Sequence, residues 1–303
     1  MVAFLIFTLY PVLYTCYIGF TTKQGLISEA NFLVDDPFKN FREVLFESTL
    51  FRLALKNTVA IWIVNFIPQM GLALLLTAWF TDNRLRIKCK GFFKVIFYLP
   101  NIITMASVAI LFRAFFGYPM GPVNDIVTKI KGPGSEIYFL IKKTTTRNIV
   151  SFIQFWMWYG YTMVQLVSGV LGIDPSIFEA AEIDGANRLQ TFFKITIPSI
   201  RTILLFTLVT SLIGGLNMFD IPMLLANGGP DNATLTTNLY IYNQAFSGSY
   251  KYNTAAAASM IMFTIIVVCS AILFYCMRDK DEAELKKLRK LERKEQRKAM
   301  AGA

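Results

Sequence analysis

Residues 252–277 read Tyr252-Asn253-Thr254-Ala255-Ala256-Ala257-Ala258-Ser259-Met260-Ile261-Met262-Phe263-Thr264-Ile265-Ile266-Val267-Val268-Cys269-Ser270-Ala271-Ile272-Leu273-Phe274-Tyr275-Cys276-Met277. The stretch carries no charge. About 20 predominantly apolar residues suffice to cross the hydrocarbon core of a bilayer as a helix. A helix buried in a soluble protein rarely runs that far without a charged residue, so 252–277 reads as a membrane span. Its opening small residues, Ala255 to Ser259, let a neighbouring helix approach closely.

The same pattern recurs along the chain. Residues 1–22, 57–81, 95–112 and 148–173 are also free of charge, and 202–230 carry only Asp220. The whole sequence is 54% hydrophobic, 17% charged and has a mean hydropathy of +0.48. An ordinary soluble domain is about 25% charged. The expectation is an all-α, polytopic membrane protein with about six transmembrane helices. They fall near 1–22, 57–81, 92–115, 148–173, 202–226 and 254–277, giving a transmembrane domain over 1–277 and a charged tail over 278–303. A cleaved signal peptide competes for 1–22, but Tyr10-Pro11 and the bulky run to Phe20 offer no small-residue cleavage site. An amphipathic stretch, Phe41 to Leu55, precedes span two. Leu99-Pro100 lies inside span three, where proline kinks or locally breaks a helix.

Net charge is +10. The basic residues flank the spans, so they report topology rather than nucleic-acid binding. With the N-terminus inside, 82–94, 174–201 and 278–303 hold 18 Lys and Arg in 67 residues, against 12 in 90 for the segments placed outside. This bias puts both termini in the cytoplasm. The tail alternates 10 basic with 6 acidic residues, as a solvated helix or frayed tail near anionic lipid does. The four cysteines form no C-x-x-C pair, and there is no histidine. Disulfide framework, zinc site and histidine-based catalysis are therefore unsupported, and a membrane enzyme is a remote reading.

The segment 174–198 between spans four and five is not a plain linker. Asp174 suits an N-cap and Pro175 the first helical position. A helix is expected to stop at Gly185, and a second to follow and end before Pro198. Small Ala180 and Ala181 sit beside acidic Glu179, Glu182 and Asp184, while Phe178, Phe192 and Phe193 add apolar bulk. Such a compact knob of mixed polarity is either an interaction element or a structured loop.

The spans also hold polar candidates. Gln154, Trp158, Tyr161 and Gln165 recur at i, i+4, i+7 and i+11, so they share one helical face. Aromatic faces can stack on a solute, and amides and phenols can bond its polar groups. An aromatic belt at the membrane surface is the competing account. Span five offers Ser211, Gly214, Gly215, Asn217 and Asp220. The paired glycines either unwind the helix or let two helices touch. Asp220 is the one acid within a span, hence a functional candidate. Its bland alternative is a structural hydrogen bond to the Asn227-Gly228 turn.

Glu179-Ala180-Ala181, Gly185, Ile195 and Pro198 fall at the spacing E-A-A, three residues, G, nine residues, I, one residue, L-P, with Ile197 where leucine is usual. In this the chain resembles the permease subunits of bacterial binding-protein-dependent importers. Asn57-Thr58 opening span two, Tyr98-Leu99-Pro100, Asn217 to Pro222 and Leu224 to Pro230 look like the sugar subfamily, closest to the maltose/oligosaccharide type. The resemblance covers nearly the whole chain.

The resemblance implies an assembly of two permeases, two ATP-binding-cassette ATPases and an extracytoplasmic sugar-binding protein in a bacterial inner membrane. It suggests a second, non-identical permease. The chain has no G-x-x-x-x-G-K-[ST] loop, so ATP and Mg belong to the partner ATPase and this chain binds no cofactor of its own. By resemblance, Glu179, Ala180, Ala181, Asp184, Gly185, Ile195 and Pro198 couple to that ATPase. Glu179 would pair with a basic residue in its cleft, and Gly185 would permit the turn. A solvated acid favoured at a helix start is the alternative for Glu179. Rival substrates in the same machinery are a glycerol phosphate or a polyol. A phosphate would want Arg or Lys in the cavity, and spans four to six contain none. A proton- or sodium-coupled carrier would rest on Asp220 alone.

Overall fold

The computed structural model describes residues 1–82, 84–85, 88–248 and 250–277. The tail expected over 278–303 lies outside the described residues. Within them every regular element is helical, and the extended pairing is an isolated bridge between Thr21 and Phe32.

Helix α1 (Val2–Gly19) packs along the last span through its second half but leaves most of its surface exposed, with only Gly19 buried. A short helix α2 follows over 39–47. Asn40 ties the two ends together. Its Nδ2 donates to the carbonyls of Gly19 and Thr21 at 2.8 and 2.9 Å, and its Oδ1 accepts from Asn253 Nδ2 at 3.0 Å.

Helix α3 (Thr49–Thr81) spans 33 residues, about 50 Å at 1.5 Å per residue. Ser48 starts it, its side chain accepting from the Phe51 N–H at 3.1 Å. Asn57-Thr58 therefore do not open this helix. They are buried two turns inside it, because Arg52 and Lys56, whose charges set the expected boundary, sit exposed on its first turns.

Span three is bent. Helices α4 (Lys90–Ile102) and α5 (Met105–Phe115) meet at 89°. Pro100 does not make the corner. It lies within α4, where one missing hydrogen bond is tolerated. The turn falls at Ile103 and Thr104, and Thr104 caps α5 by accepting from the Ser107 N–H at 3.2 Å. Helix α6 (Pro122–Lys131) lies in the connection to α7 (Lys143–Leu171). After α7 come α8 (Pro175–Ile183), a helical run α9 over 188–199, α10 (Arg201–Leu216), α11 (Asp220–Ala226), α12 (Thr237–Phe246) and α13 (Tyr252–Met277).

Among the described residues four stretches are long and apolar enough to cross a membrane: α1, α3, α10 with α11, and α13. The bent α4–α5 pair is a fifth. Helix α7 is as long but less apolar, because it carries Ser151, Gln154, Thr162 and Gln165, all buried or half-buried within the bundle.

Helices α3 and α7 pack against each other and string three apolar clusters between them and their neighbours. One gathers Phe51, Leu212, Leu239 and Ala257, the second Ile61, Val108, Ile153 and Ile221, and the third Phe80, Met163, Leu166 and Ile200. Lipid tails are as apolar as leucine, so helices in a bilayer associate through close packing and hydrogen bonds instead of the hydrophobic effect. Ala255 to Ala258 are all buried on that account, as is Gly160. A Cβ at Gly160 would stand 1.9 Å from the Phe97 carbonyl oxygen of α4.

Candidate functional site

The segment 174–198 folds as a helical hairpin on one end of α7 and α10. Asp174 caps α8, accepting from the Ser176 N–H at 3.0 Å. That bond and the Ser176 hydroxyl hold the Asp174 carboxyl below its ordinary range. A depressed carboxylate pKa means the cap is fully present at neutral pH and is lost only as pH falls through the lowered value.

Helix α8 ends in a Schellman turn. The Ala186 N–H bonds the Ala181 carbonyl at 2.9 Å, and the Gly185 N–H bonds the Glu182 carbonyl at 3.1 Å. Gly185 has φ +74°, and a Cβ there would meet no atom within 4 Å. The glycine is demanded by the backbone alone. Asn187 and Gln190 then form a reciprocal capping box that starts α9.

One expectation fails here. The second helix does not end before Pro198. A widened π turn, Phe192–Thr196, leads straight into the turn Ile197–Ser199 that contains it. The wide turn accommodates the ring.

Ala181 and Phe178 anchor the hairpin, Ala181 buried and Phe178 packed on the third cluster. Glu179, Ala180, Asp184 and Pro198 are exposed and Ile195 is half-buried. Glu179 forms no ion pair or side-chain hydrogen bond among the described residues.

The predicted face of α7 is brought together in part. Gln165 Nε2 donates to the Tyr161 hydroxyl at 2.9 Å, and Gln165 Oε1 accepts from Thr207 of α10 at 3.5 Å. The Trp158 and Tyr161 rings meet edge to face at 5.7 Å. Gln154 is 6% exposed and makes no side-chain hydrogen bond among the described residues. Trp62 of α3 was not among the sequence candidates. Its Nε1 donates to Ser211 Oγ at 3.4 Å, and it stacks on Phe66 at 5.4 Å. The sequence offered no signal for it, since Trp62 lies six residues into the expected span 57–81, where a tryptophan reads equally as part of an interfacial belt. Gln69 Nε2 and Thr162 Oγ1 add a buried bond at 2.8 Å between α3 and α7. These groups are neutral donors and acceptors beside aromatic rings, which suits a hydroxylated, uncharged solute.

Gly214 and Gly215 do not unwind α10, which runs on to Leu216. Gly215 instead lets two helices touch, since a Cβ there would lie 1.9 Å from Trp62 Cδ1. Gly214 faces open space. Gly215→Ala is therefore expected to lower thermal stability in detergent by about 1–3 kcal/mol. Adding Trp62→Leu should return much of it, and a double variant no better than Gly215→Ala would refute the clash.

The break in span five comes at 217–219. Pro222 has no N–H to continue a helix through Met218, and a new helix opens at Asp220. The freed carbonyls do not go unbonded. Thr236 Oγ1 donates to Met218 O at 2.9 Å, Thr237 Oγ1 to Leu216 O at 3.4 Å, and Asn238 Nδ2 to Asn217 O at 2.9 Å. Irregular backbone at membrane depth persists only where protein or water satisfies it. Asp220 is exposed in the first turn of α11 and makes no bond to the Asn227-Gly228 turn. That turn closes on backbone, through Asn227 N–H to Met223 O and Gly228 N–H to Pro222 O.

Broken and bent apolar helices around a neutral polar face, with a structured knob between α7 and α10, define a membrane permease. Residues 58–280 match the family model described as the binding-protein-dependent transport system inner membrane component, and the chain belongs to that family. It is 32% identical over 280 residues to the lactose transport system permease protein LacF of Rhizobium radiobacter, covering 91% of this chain and 90% of that relative. It is 26% identical over 285 residues to the diacetylchitobiose uptake system permease protein NgcF of Streptomyces coelicolor, covering 91% and 79%. In three dimensions it matches a chain of a bacterial ABC transporter involved in import of the acidic polysaccharide alginate. The TM-score is 0.76 at 25% identity, with 91% of each chain covered.

Proposed function

We propose that this chain lines the translocation pathway of an ATP-driven importer for a sugar or oligosaccharide delivered by an extracytoplasmic binding protein. The carrying observation is the exposed hairpin of α8 and α9. It is braced by two caps and a Schellman turn, and it presents Glu179 outward between two spans of a family permease. In this reading the chain crosses a bacterial inner membrane six times, with both termini cytoplasmic, and α7 counts as a span. A second, non-identical permease completes the pathway. Two separate ATP-binding-cassette ATPases hold ATP and Mg and engage Glu179, Ala180, Ala181, Asp184, Gly185, Ile195 and Pro198. Gln154, Trp158, Tyr161, Gln165, Ser211, Gly214, Gly215, Asn217 and Asp220 face or shape the pathway. The relatives named for lactose and diacetylchitobiose support a neutral carbohydrate. So does the lack of Lys or Arg within the polar face of α7 and α10. ATP-driven closure would move the hairpin as a lever and swing the spans between inward- and outward-facing states.

The test is ATP hydrolysis by the assembled transporter in liposomes with sugar-loaded binding protein. The unaltered chain should copurify with its ATPase, and hydrolysis should rise when the binding protein is added. Gly185→Asp with Glu179→Lys should lose both. A double variant that behaves like the unaltered chain would reduce the hairpin to ordinary structure.

A further inference from the structure

Helix α3 and the hairpin are far apart along the chain, yet two ion pairs join them. Arg84 Nε lies 3.1 Å from Glu182 Oε1, and Arg188 Nε lies 3.2 Å from Asp82 Oδ2. The pairs cross. Asp82 and Arg84 follow the end of α3, while Glu182 and Arg188 stand on either side of the Gly185 turn. Each element therefore offers one acid and one base to the other. Arg84 Nη2 also donates to the Ala186 carbonyl at 3.3 Å, inside the Schellman turn itself. Asp82 is the best shielded of the four, its side chain 17% exposed. Its Oδ1 accepts from the Arg84 N–H at 2.8 Å, which fixes the two residues relative to one another.

Exposed ion pairs contribute little to stability, so this arrangement is poorly explained as a staple for the fold. Its geometry does something else. Helices α7 and α10 are joined to the hairpin through the chain at Gly172–Asp174 and at Ile200. The end of α3 reaches the hairpin through the apolar cluster where Leu76 and Phe80 meet Val170, Ile200 and Phe178, and the charge pairs add a directional link beyond it. A displacement of the hairpin that left α3 behind would have to break both pairs and the Ala186 bond.

We infer that Asp82 and Arg84 are positioning residues of the coupling element, forming with Glu182 and Arg188 a charge clasp that makes α3 move with the hairpin. The inference rests on the reading of the hairpin as the ATPase-coupling element.

The experiment uses the whole transporter with binding protein, carrying Arg84→Glu, Glu182→Arg, the two combined, and Arg84→Lys. Three quantities are read: expression and monodispersity, copurified ATPase, and stimulation of ATP hydrolysis by sugar-loaded binding protein. Each charge reversal should keep its ATPase and its monodispersity while stimulation falls about fivefold or more. The charge-swapped double should recover at least half of the stimulation. Arg84→Lys keeps the charge but not the fork that reaches Ala186, and should lie between. Single reversals at full stimulation would overturn the clasp and leave the coupling reading standing. So would a double that fails to recover. Loss of the ATPase itself in the single variants would place Glu182 or Arg84 in the docking face and overturn a positioning role. An unaltered chain that never retains an ATPase would remove the coupling reading, and the clasp with it.

Discussion

Gly160→Val is expected to leave little folded permease in the membrane. A Cβ at this position would meet the Phe97 carbonyl oxygen at 1.9 Å, the carbonyl carbon at 2.6 Å and Tyr98 Cα at 3.0 Å. All three are backbone atoms of α4, so no rotamer change relieves the clash. Either α4 moves away from α7, or α7 bends. The first removes the Phe97–Tyr159 contact, whose rings lie 6.2 Å apart. The second displaces Trp158 and Tyr161 from their mutual packing. Overpacking usually costs about 1–3 kcal/mol, and an immovable backbone puts this case at about 3 kcal/mol or more. Fluorescence-detected size exclusion after a heating series reads the effect. Two controls grade it. A Cβ at Gly169 would meet Ile203 Cδ1 at 2.5 Å, the far end of a flexible side chain, and Gly214 meets nothing within 4 Å. The expected order of damage for alanine is Gly160, then Gly169, then Gly214. A Gly160→Ala protein as stable as Gly214→Ala would mean that α4 and α7 do not approach this closely in the membrane.

Local chemistry made much of this architecture readable in advance. The apolar runs located the long helices, Asp174-Pro175 located the start of α8, and Gly185 located its end. In each case a short-range rule was sufficient: a cap, a missing N–H, or a left-handed backbone. Boundaries drifted where charge was used as a proxy for helix ends. Helix α3 begins at Thr49, because Arg52 and Lys56 can sit solvated on a helix that reaches beyond the bilayer. The break at 217–219 was available in Asp220 and Pro222, an acid and a proline in the first turn of a new helix, but it lay within an otherwise continuous apolar run. What no local rule reaches is contact between distant segments. Trp62 against Gly215, the Gln69–Thr162 bond and the crossed pairs of 82–84 with 182–188 depend on which helices become neighbours.

Asn57→Leu should damage the protein for a different reason, by orphaning polar groups. Asn57 is 2% exposed. Its Nδ2 donates to the carbonyls of Asn232 at 2.7 Å and Leu235 at 3.1 Å, and its Oδ1 accepts from Arg147 Nη2 at 2.9 Å. Arg147 Nε donates in turn to the Ala233 carbonyl at 3.1 Å. One amide thus joins α3, the start of α7 and the loop before α12. Leucine is close in size but answers none of these groups, and each buried partner left unbonded costs about 1–3 kcal/mol. The expected loss is about 3 kcal/mol in thermal stability. A functional loss should accompany it, because Thr236, Thr237 and Asn238 follow directly and hold the freed carbonyls at the break in span five. Thr58 reinforces the same point by accepting from the Thr237 N–H at 3.0 Å. Asn57→Asp separates the two halves of the argument. Aspartate keeps an acceptor for Arg147 but turns a carboxylate toward the Asn232 and Leu235 carbonyls. If the loop contacts matter, it should fall well below the unaltered chain in both stability and sugar uptake. Parity of Asn57→Asp with the unaltered protein would mean that Arg147 alone needs this residue, and that the broken span keeps its shape without help from α3.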